Sequence, residues 1–364
     1  MNFPTDIPGL DPDTIARAAK DLDEGKGVKL KDLVKKNKRV LVTGATGFLG
    51  SHLMEILPKY GYQATVFDYE MLNYENILSF FEQHDKFNYA IHCAGYNGGI
   101  EFNRQKPFDI FYQNTVIGLN LLNACVGRVD KVVSIVASCA YPFAEPVEDA
   151  DAFVYRTKEI MKEHCFLDDN PHPSVACHGY AKRNLQLASY YAKTQHNLNA
   201  ICVCPTTLYG KGDSFLPEKT KVMGAMVKRF VDAVHNKDKE VVIWGSGKPL
   251  REFLYVEDAA NLIVLAMEKY NDSQYPLNLG SGQEMSIRAL AEMMAALTGF
   301  DGKIAFDISR EDGQYRKRLD LTKMHEVLFG DCEYEMGGCG YGYTPLSVGI
   351  KRTIDYYRVK TYGS

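Results

Sequence analysis

Residues 40–50, VLVTGATGFLG, constrain the fold of this chain more than any other stretch. An apolar, β-branched run leads into Gly44, Gly47 and Gly50, and an amphipathic segment with helical spacing follows at once. Glycines at that spacing let the backbone turn tightly between a buried strand and a helix. They also bring amide N–H groups to the positive helix end, where a pyrophosphate binds well. Asp68 ends the next strand-like run, about 18 residues beyond Gly50. A carboxylate there is placed to hold adenosine ribose hydroxyls and would repel a 2′-phosphate, so NAD is expected over NADP.

The texture around this turn is consistent with it. RVLVT, ATVF, YAIHC, KVVSIV and AICVC are short apolar strands, separated by helical segments such as LMEILPKY and NTVIGLNLLNAC. Strands without in/out alternation, separated by helices, imply a parallel sheet covered on both faces. The fold class expected is therefore α/β, a Rossmann-type doubly wound parallel sheet with a smaller mixed α/β lobe after it. Beyond about residue 211 the alternation loosens, with strands EVVIW and YPLNL among helices near 221–235, 257–269 and 286–298. Residues 1–37 read as an N-terminal extension. Residues 38–210, plus part of 240–280, read as the dinucleotide-binding domain, and 211–364 mainly as a substrate lobe.

Bulk properties exclude several classes. The chain has 364 residues, 46% hydrophobic and 24% charged, as in an ordinary soluble protein long enough for two lobes sharing a cleft. A net charge of −4 without a basic block gives no sign of nucleic-acid binding. No apolar run approaches the ~20 residues of a membrane span, and the start lacks a signal-peptide pattern. Nine cysteines, none in a CxxC spacing, suggest neither a disulfide framework nor a metal site. A reducing cytoplasm is the expected setting.

HCAGYNGGIEFNR, FYQNTVIGLNLLNAC, SCAYP, PTTLYG, WGSGKPLREFLYVEDAA and DGQYRKRLDLTK spread a family pattern over residues 39–360. Together with the TGxxGxxG turn, they resemble the extended short-chain dehydrogenases/reductases, specifically the GDP-L-fucose synthase branch. GDP-mannose 3,5-epimerase is a more distant relative. The resemblance implies an NAD(P)-dependent enzyme acting on a GDP-linked 4-keto sugar, with a homodimer as the family expectation. It implies cofactor contacts from Thr46, Phe48, Leu49, Ala94, Asn114, Lys182 and Leu208, besides the glycines and Asp68. Substrate contacts are implied for Gly98, Gly99, Ser138, Thr207, Val222, Arg229, Trp244, Arg251 and Lys317. Of these, Arg229, Arg251 and Lys317 would hold the diphosphate.

The chain departs from the family at two reacting positions. Lys182 matches the lysine that assists hydride transfer, but the tyrosine four residues earlier is His178, and the family serine is Ala137. Tyr180 cannot take the tyrosine's place, because i and i+2 point in different directions on a helix. His178 is open to three readings: a general acid at the sugar's O4, a spectator in an enzyme with weakened redox chemistry, or plain helix structure. The other half of the family's chemistry is epimerisation beside a C4 ketone. It would fall to Cys139 and Lys221, where a nearby ammonium would favour the thiolate. The alternatives are a buried cysteine and a solvated helix-start lysine. Thr207 stands where the family usually has Asn, and residues 143–162 are longer than the family pattern. The leading expectation is a nucleotide-sugar epimerase/4-keto-reductase. An epimerase without net reduction and a non-catalytic binding relative are the alternatives. A 4,6-dehydratase is disfavoured, because its Asp-Glu pair is absent beside Cys139.

Overall fold

The computed structural model describes residues 38–143, 160–217, 219–310, 312, 314–330 and 342–363. The extension at 1–37 and most of the long segment at 143–162 lie outside these residues.

Six strands form the main sheet: β1 (Arg39–Thr43), β2 (Gln63–Phe67), β3 (Phe87–His92), β4 (Val129–Ile135), β5 (Asn199–Pro205) and β9 (Leu277–Leu279). They lie in the order β2-β1-β3-β4-β5-β9, and every neighbouring pair is parallel. This is the doubly wound sheet expected from the unalternated apolar runs; Val40, Leu41, Val132, Val133, Ile201 and Val203 are fully buried within it. The order reverses beside β1, and in such sheets ligands bind in the crevice beyond the carboxyl ends of the strands at that point.

Helix α1 (Phe48–Ile56) follows β1. Then come α2 (Tyr74–Glu82), the short α3 (Ile100–Gln105), α4 (Pro107–Cys125) and the long α5 (Ala176–His196). α4 and α5 pack together, and Gly118 admits Leu185, whose Cδ1 lies 2.9 Å from where a Cβ on Gly118 would be. The strand at 277–279 returns to the main sheet beside β5 instead of joining the strands near it in sequence. The helix before it, α7 (Val256–Lys269), packs on the same core.

A second core lies around α6 (Val222–Asn236), α8 (Ile287–Thr298) and α9 (Leu346–Tyr362). It contains Met226, Phe230, Leu290, Met294 and Ile350. Its strands form two small sheets. In one, β8 (Leu250–Tyr255) pairs with β6 (Thr207–Tyr209), β10 (Glu284–Ser286) and β12 (Arg316–Lys317). In the other, β7 (Glu240–Trp244) pairs with β11 (Lys303–Asp307). Among the described residues no helix is long and apolar enough to cross a membrane.

The β1–α1 turn depends on its glycines in three different ways. Gly44 adopts φ +66°, a left-handed conformation that strains any residue with a Cβ. Gly47 closes the turn, its N–H donating to the Gly44 carbonyl at 2.9 Å, and starts α1 without a side-chain cap. Gly50 packs so closely that a Cβ would lie 2.1 Å from the Gly44 oxygen. Gly50→Ala must therefore push α1 off the turn. The expected cost is ~1–3 kcal/mol, as for overpacked sites, measured as a lowered urea midpoint. An unchanged midpoint would show that the turn is not held this tightly.

Candidate active site

The carboxyl end of β4 runs into Val136, Ala137 and a single turn of 3-10 helix, Ser138–Ala140. That turn faces the start of α5. Cys139 Sγ lies 3.2 Å from His178 Nδ1, within hydrogen-bonding distance for sulfur. Two features of α5 make the approach possible. Gly179 has no side chain where a Cβ would come within 2.8 Å of the Cys139 carbonyl oxygen and 2.9 Å of Pro171. Arg183, one helical turn on, donates to the carbonyls of Ala140 (2.7 Å), Asp168 (2.8 Å) and Asp169 (2.5 Å). Its guanidinium fastens the cysteine turn and the chain before α5 to the helix.

His178 is buried (6% exposed). Burial holds its imidazole well below the ordinary range, and Lys182, Lys221 and Lys317 push the same way. A neutral imidazole keeps one ring nitrogen as an acceptor. Lys182 lies four residues further along the same helix face. Its Nζ donates to the Ile135 carbonyl at 2.9 Å, and burial lowers its pKa while Cys139 opposes that shift. Lys317, on β12, is lowered by burial as well, again opposed by Cys139. Tyr180 points elsewhere, its hydroxyl donating to Asn170 at 2.5 Å. Ala137, half-buried, offers no hydroxyl in this corner.

Lys221 is the exposed N-cap residue of α6, and its charge reaches His178 and Lys317. The polar atom that contacts Cys139 is the His178 imidazole. Asp213, missed in the sequence, stands behind Lys221. It is buried, and its Oδ1 accepts from Ser214 N–H at 2.7 Å, while Oδ2 has no hydrogen-bond partner among the described residues. Burial pushes its carboxyl up to about 6 against the pull of Lys221. Gly179 and Arg183 were missed too; the pair of residues flanking Lys182 and His178 in HGYAKR was the available signal.

The remaining expected residues divide by position. Thr46 and Gly47 are exposed at the N-terminus of α1 and Phe48 is half-buried, whereas Leu49 and Gly50 are buried on its inner face. Asp68 is exposed just past β2, and Ala94 sits just past β3, its N–H donating to Thr43 Oγ1. Asn114 is spent on structure. Its amide donates to the carbonyls of Tyr96 and Ile110, both at 2.7 Å, and accepts from Tyr96 N–H at 3.1 Å. It therefore shapes the loop after β3 from behind. Gly98 and Gly99 present their carbonyls to Asn103. Thr207 and Leu208 lie on β6, and Ser138 and Val222 are half-buried beside the cysteine turn and at the start of α6.

On the second lobe Arg251 is paired in register with Lys317. Burial lowers its guanidinium to about 10, and Nη1 donates to the Leu250 carbonyl at 2.7 Å. Trp244 is 59% exposed between two guanidinium groups, Arg229 at 5.0 Å and Arg310 at 5.1 Å from its ring. Arg251, Lys317, Arg229 and Arg310 thus place four cations on the second lobe.

The profile of the NAD dependent epimerase/dehydratase family matches residues 40–280, which include the glycine turn, the cysteine turn and the start of α5. The chain belongs to the NAD dependent epimerase/dehydratase family. GDP-L-fucose synthase 1 of Arabidopsis thaliana is 31% identical over 91% of this chain and 96% of its own length. GDP-L-fucose synthase of Escherichia coli K12 is also 31% identical, over 80% of this chain and 90% of its own. A GDP-L-fucose synthetase from Naegleria fowleri solved with NADP superposes with a TM-score of 0.73 at 25% identity, over 90% of this chain and 97% of that one. As an epimerase/dehydratase family member the chain uses a nicotinamide dinucleotide, and the turn built by Gly44, Gly47 and Gly50 fits its pyrophosphate: a backbone cradle without Cβ atoms beneath an uncapped helix N-terminus.

The same environment fixes a pH response. His92, fully buried, is pushed down to about 3 by burial and by Lys182, and its Nδ1 pairs with Thr43 Oγ1 at 2.8 Å. Both His92 and His178 bind fewer protons folded than unfolded. For His92 that contribution to stability is complete above about 6.5 and is lost as pH falls from there toward 3; for His178 it is lost in the same direction. Each adds a slope of up to ~1.4 kcal/mol per pH unit. The raised carboxyls of Asp213, Glu252 and Asp258 act with the opposite sign over the same range, so the histidine contribution is read as a difference. In thermal melts between pH 7 and 4, His92→Asn should lose less stability, or gain more, than the parent as pH falls; identical slopes would remove His92 from the account.

Proposed function

We propose that the chain is a nucleotide-sugar epimerase/4-keto-reductase acting on a GDP-linked 4-keto sugar. The observation that carries this is the thiol–imidazole pair Cys139–His178, set among Lys182, Lys221 and Lys317 beyond the carboxyl end of β4. That set suits proton transfer beside a ketone, and the family kinship supplies the nucleotide-sugar class. A ketone at C4 acidifies the C3 and C5 hydrogens, so residues on opposite faces can remove and return them. Cys139 takes the proton on one face and Lys221 returns one on the other. Reduced nicotinamide supplies a hydride to C4 when bound. His178, in the proton donor's place, delivers the matching proton to O4, and Lys182 holds the cofactor ribose. With Ala137 contributing no hydroxyl, reduction is slower than in a relative with a full donor set; one missing positioned donor costs roughly 10²–10³ in rate.

Lys317, Arg251 and Arg229 bind the diphosphate, with Trp244 beside them, and the backbone at Gly98 and Gly99, with Ser138 and Thr207, borders the sugar. NAD(H) is the preferred dinucleotide. The Naegleria relative holds NADP, but the segment after β2 in this chain, residues 68–83, carries Asp68, Glu70, Glu75 and Glu82 and no lysine or arginine for a 2′-phosphate. A homodimer fits the outer faces of α4 and α5, which expose Phe108, Tyr112, Leu119, Leu187 and Tyr191 at helical spacing. The seven described cysteines are free thiols, in keeping with the cytoplasm.

Incubation with a GDP-4-keto-6-deoxyhexose in D₂O, with and without NADH, tests the reading. Deuterium should enter at C3 or C5, NADH should be consumed, and Cys139→Ser should abolish exchange. Exchange without NADH consumption would reduce the enzyme to an epimerase. Neither activity with any 4-keto sugar, heptoses included, would sink the proposal. NADH should be used at least ~10-fold more efficiently than NADPH, a margin of about 1.4 kcal/mol; a preference for NADPH would overturn the role of Asp68.

A further inference from the structure

The sequence pairs Cys139 with Lys221, but the structure places a different partner on the thiol. We propose that Cys139 and His178 form one proton-transfer unit, so that the carbon chemistry beside the ketone depends on His178 as much as the oxygen chemistry does. This rests on the epimerase reading above and adds a role for His178 that the family's residue pattern does not contain.

The geometry is built to hold the pair. Sγ and Nδ1 are 3.2 Å apart on two rigid elements. The cysteine turn is closed by Ala140 N–H donating to Ala137 at 2.9 Å and is tied to α5 through Arg183. The imidazole is buried, and Gly179 next to it lets the helix approach the Cys139 carbonyl. The groups facing the pair are Lys182 on the same helix, Lys221 at the start of α6, Lys317 on β12, and the thiols of Cys177 and Cys204. Burial and the three neighbouring cations disfavour an imidazolium at His178, so a proton drawn to the ring must be passed on.

The two ring nitrogens allow that transfer. With Nδ1 as acceptor and Nε2 carrying the hydrogen, the thiol gives its proton to Nδ1, and Nε2 gives its own to the ketone oxygen. The thiolate then takes the hydrogen from the neighbouring carbon, whose electron pair becomes the enol double bond. One C–H bond is broken and one O–H bond formed; the thiol is restored and the imidazole is left as its other tautomer. No oxidant or reductant enters this step. A tyrosine in the same place could donate to oxygen but could not draw a proton from a thiol near neutral pH.

The test compares His178→Phe, His178→Tyr and His178→Gln with the parent, each checked for folding by thermal melting. One readout is the rate of iodoacetamide labelling at Cys139, followed by peptide mass spectrometry from pH 6 to 9, with Cys177 as internal reference. The other is deuterium entry into the 4-keto sugar. We expect Cys139 labelling near neutral pH to fall at least ~10-fold and exchange to fall roughly 10²-fold, the usual share of a positioned acid or base. His178→Tyr should retain NADH oxidation while losing exchange. His178→Gln, closest in polarity, decides the matter if the aromatic variants do not fold. Labelling and exchange at parental rates in the folded variants would overturn the proposal, leaving His178 to serve the oxygen alone. Labelling needs no sugar. A fall in labelling with no exchange by the parent protein on any 4-keto sugar would therefore support the pair and refute the substrate assignment instead.

Discussion

The close approach of helix α5 to the carboxyl end of β4 is the contact on which the rest of the site depends. A main-chain carbonyl at Cys139 and the Cα of Gly179 lie closer than any side chain would permit. This brings the first turn of the helix against the turn after the strand. Everything chemical about the site follows from that proximity. It sets His178 on the thiol, positions Lys182 under the end of β4, and lets Arg183 reach three carbonyls at once. Buried hydrogen bonds to a charged donor contribute more than neutral ones, roughly 1.5–3 kcal/mol each. The clamp is therefore strong enough to hold two loops in one geometry.

Electrostatics then selects among the protonation states that this geometry allows. Desolvation works against charge on His178, Lys182 and Lys317 alike, and at both lysines the Cys139 thiol opposes the shift. Asp213 adds a carboxyl behind Lys221, with one oxygen lacking a hydrogen-bond partner among the described residues and its pKa pushed up to about 6. A site that crowds poorly solvated cations together is relieved when an anion enters. Lys317, beside Arg251, and the thiol–imidazole pair therefore share one field.

Much of this was legible in the sequence, because it rests on local rules. Unalternated strands imply a parallel sheet; the glycine spacing implies the β1–α1 turn; and the spacing from His178 to Lys182 implies one helix face. What escaped was long-range. The pairing of Cys139 with His178 spans 39 residues and depends on a glycine whose importance appears only when another backbone is beside it. The return of residues 277–279 to the main sheet is invisible to periodicity, which reports burial but not which sheet a strand joins. Asn114 shows the converse: the family pattern implied a ligand contact there, whereas its amide is hydrogen-bonded to Tyr96 and Ile110.

Trp244 is the only tryptophan in the chain, and it is half open to solvent between Arg229 and Arg310. Its emission is therefore a single-site signal, free of overlap from other indoles. A diphosphate that draws the Arg229 guanidinium off the ring changes the polarity and quenching around that one fluorophore. With Arg229 as a diphosphate ligand, as proposed above, that one indole becomes an intrinsic optical gauge of nucleotide binding, readable without label or turnover.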